Sequence, residues 1–226
     1  IPIEVLSPEV VAELQTWYDT QPRAAEVMPT GDAKVLMIKF NDYQCPSCRQ
    51  TWALYRDVIA KYEASHPGTF VFENRDYPLE LEWGAGNAAH SAACEAAAAV
   101  RMAREKGRHK EVEQAIFSRQ SASMSRTDVI EALEEAGQIT AEEFDAQYPK
   151  MLEAIRADVQ LGQKLEVTGT PTFYINGVRI PGLRPASIRG WLHSFRCCRY
   201  WRMRGLPPST SAHPASRSPA SSCGSR

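Results

Sequence analysis

The sequence predicts an α/β fold in which a βαβ half and a ββα half are separated by a helical insertion. Three observations lead there. Residues 35–40 (Val-Leu-Met-Ile-Lys-Phe) and 69–73 (Thr-Phe-Val-Phe-Glu) are strand-length apolar runs on either side of an amphipathic stretch at 49–63. That is the pattern of a parallel pair with a right-handed crossover. From about residue 84 to 163 the apolar period is helical throughout. Short runs at 172–175 and 178–180 then flank Asn176-Gly177, the dipeptide that most strongly marks a tight hairpin.

Each element has a local reason. Ser7-Pro8 reads as an N-cap followed by proline at the first helical position. Val10, Val11, Leu14, Trp17 and Tyr18 form one helical stripe that ends before Pro22. Pro29-Thr30-Gly31-Asp32 is a turn, and the apolar run after it is of the kind buried in a central sheet. The stretch 49–63 carries Leu54, Tyr55, Val58, Ile59 and Tyr62 on one face, and Pro67-Gly68 stops it. Four helices are expected in the insertion: an Ala-rich one from Ala85 to Arg104, one at 109–119, one from Ser125 to Gly137 and one starting at Thr140. The last two open with capping pairs, Ser125 with Asp128 and Thr140 with Glu143. Phe144, Tyr148, Met151, Leu152, Ile155 and Val159 stripe the fourth, where Pro149 is expected to force a kink or a break. A final helix is expected at about 185–195. The organisation is therefore a helix and extension (1–30), one domain (31–195, insertion about 84–163) and a tail (196–226).

Composition narrows the function classes. With 226 residues, 43% hydrophobic and 23% charged, the chain can build a sizeable core, which excludes a miniprotein held together by disulfides. Residues 196–226 hold six Arg, seven Ser, four Pro and no acid, the composition of an unstructured basic tail. The remaining 195 residues carry 20 basic against 27 acidic groups, so the body is acidic and nucleic-acid binding is not expected. No run of 18 apolar residues exists that could span a membrane. The chain opens at Ile1 without a signal-peptide pattern, as expected of a mature product or an excised domain.

The chemistry concentrates in Cys45-Pro46-Ser47-Cys48, between the first strand and the helix after it. Two thiols two residues apart at a helix start lie about one turn from each other, close enough to close a small disulfide ring. Cys45 falls at the N-cap and Pro46 at the first helical position, where a missing N–H is without cost. Free backbone N–H groups and the helix dipole favour a thiolate at Cys45. Such a thiolate is both a good nucleophile and a good leaving group. Half of a zinc site is the competing metal reading, but a structural site takes four ligands. No second CxxC or matching histidine pair is present, and His66 and His90 join only if the fold brings them. A lone histidine is more often solvated or satisfied in a core. A structural disulfide over so short a loop contributes little loop-closure entropy. Neither a metal nor a cofactor is expected.

Phe40-Asn41-Asp42-Tyr43-Gln44-Cys45-Pro46-Ser47-Cys48 resembles the active-site segment of DsbA-like thioredoxin-fold thiol oxidoreductases. Val167-Thr168-Gly169-Thr170-Pro171-Thr172-Phe173-Tyr174-Ile175-Asn176-Gly177 resembles their second signature, and the helical segment between the two matches that family's insertion. The resemblance covers about residues 31–195. It implies a thioredoxin-like fold with a helical insertion between its βαβ and ββα halves. It also implies a redox motif with Cys45 as nucleophile and Cys48 as resolving thiol, flanked by Pro46 and Ser47. Thr170 and a cis Pro171 would form the peptide-binding loop.

Two positions depart from the family pattern. Ser47 stands where strongly oxidising members carry histidine, which removes one stabiliser of the Cys45 thiolate and implies a less oxidising disulfide. Lys39 stands six residues before Cys45, where the family carries a buried acid that passes protons to the resolving cysteine. Strand alternation puts it on the face of Val35 and Met37. There it either stabilises ionised cysteine or carries its charge to solvent and only packs. Cys94, in the Ala-rich helix, reads as a small buried residue, and Trp52 as core or rim packing. The implied activity is dithiol–disulfide exchange on cysteine-containing protein substrates, foremost their oxidation outside the cytoplasm, in the periplasm or tethered to a membrane and facing outward. A quinone-linked membrane partner would reoxidise the pair. Relatives fused to a vitamin K epoxide reductase-like domain offer one setting for such a chain. A reductase or isomerase, an electron-relay domain and a metal-binding thiol module are the alternatives.

Overall fold

A computed structural model of the chain describes residues 7–24, 33–80 and 90–180. Strand β1 (Val35–Asn41) is buried along its whole length at the centre of a four-stranded sheet. It pairs in parallel with β2 (Phe70–Asp76) and antiparallel with β3 (Thr172–Ile175), which turns into β4 (Val178–Ile180), giving the order β2-β1-β3-β4. β2 runs three residues past the expected 69–73 because its parallel register with β1 continues to Asn41 opposite Asp76.

The pleat of β1 divides two cores. Val35 and Met37 face a cluster with Phe70, Phe173 and Ile175, covered by Tyr18 of α1 (Pro8–Thr20) and by Tyr55 and Ile59 of α2 (Pro46–Ser65). Leu36, Ile38 and Phe40 face the larger core of the insertion. There α3 (Ala93–Glu105), α4 (His109–Arg119), α5 (Arg126–Ala132) with a π-helical turn at Leu133–Gly137, and α6 (Ala141–Lys164) pack on the sheet. Ala96, Ala97, Ala98, Ala99 and Ala103 are all buried. Arg101 bridges Asp76 of β2 and Asp158 of α6, while Arg75 reaches Asp158 at 3.0 Å and Glu73 at 2.5 Å. This network ties the edge of the sheet to two insertion helices.

The capping pairs form as expected. Ser125 with Asp128 and Thr140 with Glu143 make reciprocal boxes, and Ser7 caps α1. Asn176 and Gly177 take φ of 46° and 79°, the left-handed pair of a tight hairpin. The Asn176 side chain accepts from Leu36 N–H at 2.8 Å and donates to the Lys34 carbonyl at 3.0 Å, which joins the hairpin to β1. A Cβ on Gly177 would stand 3.0 Å from the Ala24 carbonyl oxygen.

Two expectations need correction. Among the described residues the Ala-rich helix begins at Ala93, and residues 90–92 are not helical. Helix propensity loses there to competing partners: Ala92 N–H donates to Gln44 Oε1 at 2.6 Å, and His90 is bound to Asp42. Pro149 neither breaks nor ends α6. The residue is exposed, and the helix is held on both sides of it by buried Phe144, Met151, Ile155 and Val159, burial that outweighs about 3 kcal/mol of proline cost. The expected turn at 29–32, the first residues of the Ala-rich run, the helix at 185–195 and the tail lie outside the described residues.

α6 lies against the sheet at Gly162, where an added Cβ would stand 2.5 Å from Tyr77 Cε2 and 3.2 Å from Phe40 Cε1. Tyr77 has no room to retreat, since its ring packs edge-on against Phe40 and its hydroxyl donates to the Val167 carbonyl at 2.9 Å. Gly162→Ala is expected to lower stability by about 1–3 kcal/mol through overpacking, read from the denaturant midpoint. An unchanged midpoint would mean that the helix shifts freely.

Candidate active site

The residues between Asn41 and Pro46 carry the two cysteines off the end of β1. Cys45 is the N-cap of α2 with an extended backbone, and Pro46 holds the first helical position. The turn is fixed from inside by Asp42. Its buried carboxylate accepts the N–H of Gln44 at 2.7 Å, the N–H of Leu79 at 2.8 Å and Nδ1 of His90 at 2.7 Å. Its own N–H points at Cys48 Sγ, 3.4 Å away. The insertion grips the same turn from outside. Gln44 Nε2 donates to the Met124 carbonyl at 3.3 Å, and Gln120 Nε2 donates to the carbonyls of Tyr43 and Cys45 at 2.6 and 3.1 Å. Phe117 of α4 packs on both Tyr43 and Trp52, and Trp52 Nε1 donates to Glu113 at 3.0 Å.

The two sulfurs are unbonded and sit in unequal surroundings. Cys48, one turn into the helix, is fully buried, and Cys45 is 7% exposed. Cys45 is less open than a helix end suggests, because the Thr170 carbonyl lies 3.2 Å from its sulfur. A hydrogen bond from the Cys48 thiol pulls the Cys45 pKa down to about 5 against the cost of burial, with Thr170 and the N–H groups of Cys48 and Ser47 adding to it. Burial and the hydrogen bond given to Cys45 push Cys48 well above the ordinary thiol range, and the charge of Lys39 opposes that rise. Lys39 is itself 5% exposed and borders a cavity of about 810 Å³ behind α2, so its ammonium is not carried out to bulk solvent. Glu113 borders the same cavity; burial raises its pKa, and Lys39 and the Trp52 indole work against that rise. The Thr170-Pro171 bond is cis. Pro46 is exposed, while Ser47, Thr170 and Pro171 are half-buried around the cysteines.

The profile of a protein family described as Thioredoxin matches residues 27–194. The chain belongs to the thioredoxin family. Among solved structures, the chain is similar to a thioredoxin-like oxidoreductase from Silicibacter pomeroyi, with a TM-score of 0.54 and 21% identity over 75% of this chain and 90% of that one. It is also similar to the thiol-disulfide exchange protein α-DsbA2 from Wolbachia pipientis, with a TM-score of 0.57 and 18% identity over 83% and 96%. These likenesses extend to the helical insertion. A Na⁺/H⁺ antiporter, NhaA 1, of Mycolicibacterium vanbaalenii is 25% identical over 181 residues, 78% of this chain. The chain spans only 27% of that relative's length. Fusion to a vitamin K epoxide reductase-like domain finds no support in these relatives. No helix among the described residues is long and apolar enough to cross a membrane.

The sequence points to Cys45, Cys48, Thr170, Pro171 and Lys39 but not to the side chains that hold them. Asp42, an acid directly after β1 and three residues before Cys45, was the available signal for a buried partner, which the fold supplies as His90. Nothing in the local pattern of 109–119 marks Glu113. Cys94 is buried as expected, and burial followed by Glu80 raises its thiol pKa, so it is a poor nucleophile.

Cys45 is expected to be alkylated first by iodoacetamide, with a rate that follows a single ionisation near pH 5. Because its folded pKa lies below the unfolded one, it adds stability to the reduced protein that accumulates as pH rises from about 5 to about 9 and is lost on acidification through 5. Melting of reduced protein beside Cys45→Ala across that range checks the sign. A parallel pair of curves would show that Cys45 is not ionised.

Proposed function

We propose that this protein oxidises cysteine pairs in exported proteins, with Cys45 as nucleophile and Cys48 as resolving thiol. The observation that carries the reading is the separation of the two sulfurs, one held near 5 and the other pushed up by burial. A thiolate that persists at neutral pH stabilises the reduced enzyme and thereby makes its disulfide an oxidant.

A substrate thiolate attacks Cys45 Sγ, the Cys45–Cys48 bond breaks, and its electron pair leaves on Cys48, which takes up a proton. The substrate's second thiolate attacks its own sulfur in the mixed disulfide, and Cys45 leaves as a thiolate. The substrate loses two electrons and two protons, one proton ending on Cys48 and the other in water. Thr170 and Pro171 flank Cys45 as the peptide-binding loop, and exposed Pro46 with half-buried Ser47 forms the rim. Lys39 supports the negative charge that passes through Cys48. Reoxidation falls to a quinone-linked membrane partner, with the enzyme outside the cytoplasm. The match to part of proteins named antiporters supports a membrane setting for such a domain. The working unit is residues 31–195.

Cys48→Ala is expected to accumulate mixed disulfides with substrates and Cys45→Ala to accumulate few; equal trapping by both removes the assigned roles. The direction is read from the reduction potential, expected to lie well above the roughly −270 mV of a reducing thioredoxin, toward the roughly −120 mV of a strong oxidant. A value at the reducing end assigns the site to reduction instead.

Lys39→Met is expected to raise the Cys48 pKa further, which slows release of mixed disulfides by Cys48 while the potential at neutral pH stays close to the parent's, because Cys48 is protonated in the reduced enzyme. An unchanged rate of release leaves Lys39 with packing alone.

A further inference from the structure

We propose that His90, anchored by Asp42, is the cation that supports the Cys45 thiolate, filling from the insertion the role that Ser47 leaves open in the motif. The inference rests on the reading of Cys45 as the nucleophile. His90 is buried immediately before α3, and its Nδ1 lies 2.7 Å from Asp42 Oδ2. Asp42 in turn touches both halves of the redox pair. Its carbonyl accepts Cys45 N–H at 3.2 Å, and its N–H approaches Cys48 Sγ at 3.4 Å. The imidazole is thus fixed to a residue whose backbone lies against both cysteines.

The electrostatic logic follows from the sign of Asp42. A buried carboxylate on the same turn as a forming thiolate is a like charge and opposes ionisation of Cys45. A protonated His90 cancels that charge at contact distance, and its own attraction to the thiolate adds to the effect. The groups that face His90 among the described residues are Asp42 from the turn after β1, Glu80 from the segment after β2 and Cys45 from the head of α2. Cys94 of α3, held as a thiol, borders Asp42 and Glu80. The hydrogen bond to Asp42 raises the His90 pKa first, against burial, and the charges of Asp42, Cys45 and Glu80 raise it further. His90 therefore carries its proton to higher pH than a free histidine and loses it as pH climbs through that raised value. In this arrangement the charge on Cys45 raises the His90 pKa, and a protonated His90 in turn favours the Cys45 thiolate.

Coupling gives a test that needs no mutation. In oxidised protein there is no thiolate, so the His90 ring, followed by NMR across pH, is expected to titrate lower in the oxidised than in the reduced enzyme. His90→Gln removes the cation while keeping a donor for Asp42. It is expected to raise the Cys45 pKa, read from thiolate absorbance, by about one unit, a tenfold loss in ionisation. The equilibrium with glutathione should shift tenfold toward the enzyme disulfide, ~30 mV more negative. Equal His90 titration in the two redox states overturns the proposal, as does His90→Gln with lower melting temperature and an unchanged Cys45 pKa, the signature of packing alone. If His90→Gln does not fold, the comparison of redox states decides. Should Cys45 of the parent titrate as an ordinary thiol, the nucleophile assignment fails first, and the two failures are told apart.

Discussion

The buried carboxylate of Asp42 is the constraint on which the active end of the molecule depends. A carboxylate out of water must be met by donors, and the three that meet it come from three separate segments: the turn after β1, the segment after β2 and the residues leading into α3. Satisfying one charge therefore fixes the relative positions of the sheet, the redox motif and the insertion. The position of Cys45 at the head of α2 is a consequence of that arrangement, since the chain has only the residues between Asn41 and Pro46 in which to leave the strand and enter the helix.

From there the chemistry follows from depth. Cys45 and Cys48 are alike as residues, yet one meets the free N–H groups at a helix start and the other lies a turn deeper in the core. The low dielectric that disfavours charge on Cys48 also strengthens the hydrogen bond it gives to Cys45. Charged groups lie on two sides of this pair: Asp42 with His90 on the insertion side, and behind the helix Glu113 with Lys39, which opposes the rise in the Cys48 pKa. In the family pattern the buried acid behind the motif comes from the first strand; here a lysine stands in that place, and the acid bordering the same cavity comes from α4.

Local signals explain why most of the fold was legible from residues alone. The apolar runs of β1, β3 and β4, the two capping boxes and the Asn176-Gly177 turn are decided within a few residues, and the structure keeps each. Where the outcome turns on a distant partner, the sequence is silent. The Ala-rich run looks helical through residues 90–92, but the contacts of Ala92 with Gln44 and of His90 with Asp42 pull that stretch out of the helix. Pro149 looks like a break, but buried side chains on either side keep α6 continuous through it. The two cysteines and the proline loop could be read because their spacing is itself the signal. His90 and Glu113 could not, because a lone histidine or glutamate has no spacing to read.

The central position of β1 has a consequence for how the chain reaches this state. Its parallel neighbour is nearby in sequence, but its antiparallel neighbour pairs Met37 with Ile175 across the whole insertion. Contacts of that separation require a large loop to close before any stabilisation returns. The insertion helices, joined by short connections, can gather around their alanine-lined core first. A chain emerging residue by residue thus holds β1 with one bare edge until the second proline signature has appeared, a period in which an unpaired strand is open to other chains.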